Sequence, residues 1–180
     1  MGSSFPPYPD SAFTYLAKQE STHWWFLARN DLILWALLAK ICTFKYYLEI
    51  GCGTGFVLCA VAKQFPDCVL DAIEYHATAI KIAQFRVPRC NFNQLDATNS
   101  FGIESYDCIS CFDVLEHIQD DNKFLYGIHK FIKKDSYVLV TVPAYQFLWS
   151  SLDEVLGHKR RYNRSELISK FENNGFNVLK

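Results

Sequence analysis

Long apolar runs, charge of a single sign and a cysteine framework are all missing from this 180-residue chain. The longest apolar stretch, Leu32 to Ala39, is too short to cross a bilayer, so no membrane span is expected. The N-terminus has no charged segment leading into an apolar one, so no secretory leader is expected. Lys and Arg number 18 against 19 Asp and Glu, with no basic stripe, which argues against a nucleic-acid partner. The seven cysteines are odd in number and lack framework spacing, so reduced thiols and a cytoplasmic location are expected. Cys108-Ile109-Ser110-Cys111 is a CxxC, but it lies in an apolar run that reads as a buried strand, where i and i+3 face opposite sides. No second Cys/His pair completes a zinc set, and Asp153 with His158 lacks a third ligand, so no metal is expected. Repeats and low-complexity linkers are also missing.

What is present is a chain that is 50% hydrophobic and 16% aromatic, enough for one sizeable core. It divides into a helical cap over 1–44 and a ligand-binding domain over 45–180. In the cap, Trp25 to Ile41 has helical apolar spacing through Phe26, Ile33, Leu34, Leu37, Leu38 and Ile41. His23, Trp24, Trp25 and Arg29 admit two readings: aromatics that dock this helix, or a lid over a ligand. Docking is favoured for most of the aromatics.

From Tyr46 the pattern alternates strand and helix. Strands are expected at Tyr46–Ile50, Cys68–Glu74, Cys90–Asp96, Tyr106–Phe112 and Ser136–Pro143, with a sixth starting at Phe176. Helices are expected near Phe56–Phe65, Ala77–Phe85 and Asn122–Ile132. Another opens at Ser165 as N-cap and runs through Asn173. This alternation predicts a doubly wound α/β fold whose mostly parallel sheet carries helices on both faces and binds ligands beyond the carboxyl ends of its strands. Acids recur at those ends: Glu49, Glu74, Asp96 and Asp113.

The organising stretch is Glu49-Ile50-Gly51-Cys52-Gly53-Thr54-Gly55-Phe56. Its glycines allow a tight turn with close approach of a ligand to backbone. The helix beyond offers unpaired N–H groups. Dinucleotide loops read G-x-G-x-x-G, and here Phe56 occupies the third glycine's place. Glu49 would also oppose a pyrophosphate. An acid suits a cationic ligand better.

Leu48 to Gly55 resembles the first motif of class I S-adenosylmethionine-dependent methyltransferases, in the broad small-molecule group that includes quinone-biosynthesis-like enzymes. Phe112-Asp113-Val114-Leu115-Glu116-His117 resembles that family's fourth-strand motif. The resemblance implies a Rossmann-like domain, S-adenosylmethionine as cofactor and S-adenosylhomocysteine as product. It implies cofactor contacts from Glu49, Gly51, Cys52, Gly53, Thr54, Gly55, Asp113 and Val114, with Glu74 on the ribose, Tyr75 against the adenine, and Asp96 beside Ala97 at the adenine amino group. It also implies seven strands ending in an antiparallel hairpin, which this chain leaves incomplete.

His23-Trp24-Trp25-Phe26 with Arg29, and Pro143-Ala144-Tyr145 through Trp149, Asp153, His158 and Arg160-Arg161-Tyr162, resemble a narrower subgroup whose region after the fifth strand shapes the acceptor pocket. Trp25, Arg29, Tyr145, Trp149, Arg160 and Arg161 are therefore candidate acceptor-binding residues. The Arg160-Arg161 pair reads either as a solvated loop or as an anion clamp. His117 and His158 are candidate bases for an oxygen or nitrogen nucleophile, with Asp153 third. The expected acceptor is a small molecule, a protein acceptor stays open, and no oligomeric state is assigned. The alternatives are a non-catalytic cofactor-binding or regulatory module and a NAD-dependent oxidoreductase, the latter disfavoured by Phe56 and the glycine spacing.

Overall fold

The computed structural model describes residues 10–98 and 106–179. Five strands form one parallel sheet in the order β3-β2-β1-β4-β5: β1 Tyr46–Ile50, β2 Val69–Glu74, β3 Asn91–Gln94, β4 Tyr106–Phe112 and β5 Ile132–Thr141. The chain starts at the middle of the sheet, builds outward through β2 and β3, then crosses back to place β4 on the other side of β1. That reversal opens a crevice at the carboxyl ends of β1 and β4.

The alternation of side chains across each strand splits the core in two. Tyr47, Leu70, Ala72 and Cys108 face Ile33 and Leu37 and the buried residues of α3 Phe56–Gln64 and α4 Ala77–Arg86. Leu48, Ile50, Ile109 and Cys111 face α5 Asp121–Phe131 and Phe171 of α7 Arg164–Asn173. Cys108 and Cys111 thus pack on opposite faces, as their spacing requires, and every cysteine of the described residues is a free thiol. No helix among the described residues is long and apolar enough to cross a membrane.

The cap is two helices, α1 Asp10–Gln19 and α2 Trp24–Ala36, the latter continuing into a π-helical turn at Leu37–Ile41. The backbone N–H of Trp25 bonds back to His23 Nδ1 at 3.3 Å, so His23 serves as an N-cap. Ile33 and Leu37 dock as expected, but Trp24 is 72% exposed. The docking reading therefore fails for that tryptophan. Other expectations change as well, and β5 starts at Ile132, four residues before the expected Ser136. No strand forms over 176–179; Phe176 and Val178 pack by side chain against the core, and Phe176 lies against Phe171 and His129. The last helix is capped by Asn163, with Ser165 donating to Asn163 Oδ1, because Asn163 closes a capping box with Glu166. The connection after β5 holds a further helix, α6 Ser151–Leu156, opened by a capping box of Ser150 and Asp153. Its six residues are too few to show a hydrophobic period.

Candidate active site

The glycine loop owes its shape to backbone. Gly51, Gly53 and Gly55 all have positive φ, at +70°, +53° and +74°. Each is glycine for a different reason. A Cβ on Gly51 would collide with Val114, and one on Gly55 would stand 2.8 Å from Ala83 Cβ, so Gly55 serves the approach of α3 to α4. A Cβ on Gly53 would meet nothing within 4 Å: it faces open space. The loop is hooked to the end of β2, where Gly51 N donates to Ile73 O at 2.7 Å and Gly53 N to Glu74 Oε2 at 2.9 Å. Glu74 Oε1 accepts from His76 N at 2.8 Å, which fixes the carboxylate in place.

A cavity of about 640 Å³ opens over this loop, within the range of small-ligand sites. The sequence-predicted residues Glu49, Gly51, Cys52, Gly53, Thr54, Glu74, Tyr75, Ala97, Asp113, Val114, Trp25, Arg29, His117 and His158 all line it. Gly55, Asp96, Tyr145, Trp149, Arg160 and Arg161 do not. Asp96 Oδ1 accepts from Thr98 N and Oγ1. Tyr145 is 47% exposed and stacks on Phe147. The anion-clamp reading of the arginines gives way because both are paired. Arg160 bonds Asp121 Oδ2 at 2.9 Å, and Arg161 forks onto Asp153 at 2.7 and 2.8 Å.

Three groups at or beside the site were not among the candidates drawn from the sequence. Glu20, buried, accepts from Thr54 Oγ1 and from Arg86 Nη1 at 2.7 Å, and Arg86 also reaches Thr54 O and Ala17 O. This knot ties the cap to the glycine loop across residues far apart in sequence. Leu152 and Leu156 reach the cavity from α6. Glu116 lies beside His117 and is fully buried; its place next to that candidate histidine was the one available signal.

Electrostatics distinguish the two ends. At the glycine end, burial pushes the Glu49 carboxyl up to about 8, opposed by the Tyr47 hydroxyl donor at 3.2 Å and by Arg29. Arg29 pairs with Asp113 Oδ2 at 2.5 Å and lies over the Trp25 and Phe112 rings. Asp113 itself has φ +54°, uncommon for a residue with a side chain, and is held by Thr141 through its backbone N–H and through Oδ1. At the other end, burial raises Glu116 to about 8 and lowers His117 to about 4. The His117 and His158 rings meet edge to face at 4.8 Å, and His158 Nδ1 stands 2.9 Å from Asp153 Oδ1.

Glu20 is paired with Arg86 and Asp113 with Arg29, which leaves Glu74 and the raised carboxyl of Glu49, able to ionise beside a cation, as the acids facing the cavity. Such a lining suits a cationic sulfonium and ammonium and opposes a pyrophosphate. The open face of Gly53, beside Glu74, leaves room for a ligand against backbone. The residues present therefore fit S-adenosylmethionine.

Comparison with known proteins agrees. A methyltransferase-domain family model matches residues 19–180. A probable S-adenosylmethionine-dependent methyltransferase of Mycobacterium tuberculosis H37Rv is 28% identical over 160 residues, covering 86% of this chain and 56% of that protein. A ubiquinone biosynthesis O-methyltransferase of Rickettsia typhi is 26% identical over 117 residues, covering 61% and 48%. The chain thus spans about half the length of these curated relatives. Among solved structures, phosphoethanolamine N-methyltransferase 2 of Haemonchus contortus shares the fold at TM-score 0.77 and 20% identity, over 98% of this chain and 45% of that one. With nine-tenths of its length matched by the family model and the site geometry in accord, the chain belongs to the class I S-adenosylmethionine-dependent methyltransferases.

Proposed function

We propose that this chain transfers a methyl group from S-adenosylmethionine to an oxygen or nitrogen of a small-molecule acceptor. One observation carries the reading: a single cavity joins the glycine loop and Glu74 to the His117–His158 pair. When bound, the cofactor supplies a methyl already activated by its sulfonium. The rest is positioning by the protein, since in-line displacement requires nucleophile and methyl held at near-contact distance. Backbone at Gly51 and Gly53 receives the methionine end, and Glu49 faces its cationic group. Glu74 takes the ribose hydroxyls, with Tyr75 and Ala97 toward the adenine and Asp96 just outside the wall. Phe13, Trp25, Phe26, Leu152 and Leu156 exclude water. His117 and His158 flank the acceptor's nucleophile, and Asp153 orients His158. A half-open cavity of about 640 Å³ walled by α1, α2 and α6 favours a small acceptor over a protein.

Calorimetric titration with S-adenosylhomocysteine and, separately, with NAD tests the reading. Saturable binding of the first and none of the second is expected. Tight NAD binding alone would overturn it.

A further inference from the structure

Glu116 is fully buried, and neither carboxylate oxygen has a hydrogen-bond partner among the described residues. Buried carboxylates are ordinarily paired or coordinate a metal, because taking the charge from water is costly. Two imidazoles stand beside this one. His117 follows it in the chain, and His158 places Nε2 3.9 Å from Glu116 Oε1. One donor atom from each of Glu116, His117 and His158 lies within 4.8 Å of the others. His158 directs its second nitrogen, Nδ1, at Asp153 Oδ1, which leaves Nε2 with its lone pair toward the cluster. Arg161 forks onto Asp153 from behind. A carboxylate behind an imidazole, itself held by a further group, is the support that metal-ligating histidines ordinarily have. Both imidazoles also line the cavity, so the cluster has an open side.

We propose that Glu116, His117 and His158 bind a divalent transition-metal cation of the zinc class, with Asp153 and Arg161 orienting His158. Two imidazoles and one carboxylate form the donor set of catalytic zinc sites that keep a fourth position open. Magnesium and calcium, which take oxygen donors, are disfavoured. Tetrahedral ligands at about 2.1 Å from zinc stand about 3.4 Å apart, so the three side chains close by roughly 1 Å on binding. The inference deepens the function proposed above and rests on its reading of the cavity as the acceptor site. The open position faces that cavity, where a hydroxylated acceptor that coordinates the cation releases its proton to water more readily than a free one does. Glu116 and His117 come from the short 3-10 turn Leu115–His117 after β4 and His158 from the connection after β5, so no ligand spacing appears along the chain.

Cobalt(II) titration of the chelator-treated chain, followed by visible absorption, tests the site. One equivalent is expected to give the d–d bands of a tetrahedral centre, without thiolate-to-cobalt charge transfer, and zinc is expected to displace it. Glu116→Gln and His158→Ala should each weaken cobalt at least tenfold, and Asp153→Asn by about 10–100-fold. Calorimetry with S-adenosylhomocysteine on the same variants reports folding. Retained affinity for S-adenosylhomocysteine with lost cobalt supports the site. Wild-type protein that binds S-adenosylhomocysteine but no stoichiometric cobalt overturns it and leaves the function standing; so does unchanged cobalt affinity in Glu116→Gln and His158→Ala. Cobalt bound without any S-adenosylhomocysteine binding would sink the function and keep the site.

Discussion

Arg29 of α2 and Asp113 at the end of β4 form a 2.5 Å ion pair at the wall of the cavity. It joins the cap to the sheet at the point where the strand order reverses. The pair is partly exposed, with side-chain accessibilities of 18% and 36%, so its worth lies nearer that of a surface pair than a buried one. Arg29→Ala is expected to lower stability by about 1 kcal/mol. A urea melt with an unchanged midpoint would remove this contact from the account of how the cap is held.

The Glu49 carboxyl gives a pH signature. Its folded pKa, about 8, is above its ordinary 4.5 because of burial. Stability from the protonated form is therefore fully present below the ordinary value and is lost as pH rises through the folded one. Between about pH 5 and pH 8 the native protein should lose stability that Glu49→Gln keeps, by about 1 kcal/mol or more. Parallel pH–stability curves for the two proteins would contradict the burial argument. A cationic ligand beside Glu49 should also expel its proton, which calorimetry in buffers of different ionisation enthalpy would register.

Glu74→Ala removes both the acceptor of the Gly53 N–H and the proposed ribose partner. Gly53→Val places a β-branched side chain at φ +53°, in the space that now stands open. Each is expected to weaken S-adenosylhomocysteine by roughly 100-fold, about 2.7 kcal/mol, or more. Unchanged affinity in both would move the cofactor away from the loop.

Arg161 serves Asp153, which is 1% exposed. Arg161→Ala leaves that buried carboxylate with only Ser150 and His158 as partners and no cation forked onto it, and should cost about 2 kcal/mol. Lys in its place should restore little, because an ammonium cannot fork onto both oxygens. Cofactor affinity should be spared in either variant. A large loss of S-adenosylhomocysteine binding in Arg161→Ala would mean that this loop belongs to the cofactor site.

Much of this protein was legible as sequence because its information is local. The period of two put Tyr47 and Leu48 on opposite faces of β1, and β4 matches its expected bounds, Tyr106–Phe112, as it must when a buried strand is bounded by polar chain. Three glycines within five residues fixed the loop, since side chains rarely adopt the positive φ found there. Tertiary structure decided the rest, because it concerns groups that meet only when distant segments pack. It made Arg160 and Arg161 partners of Asp121 and Asp153 instead of an anion clamp, and it set Glu20 and Arg86 against Thr54. It also buried Glu116 without a hydrogen-bond partner among the described residues, beside an imidazole that follows β5. Charge pairing and burial depend on what arrives from elsewhere in the chain, and no local period records that.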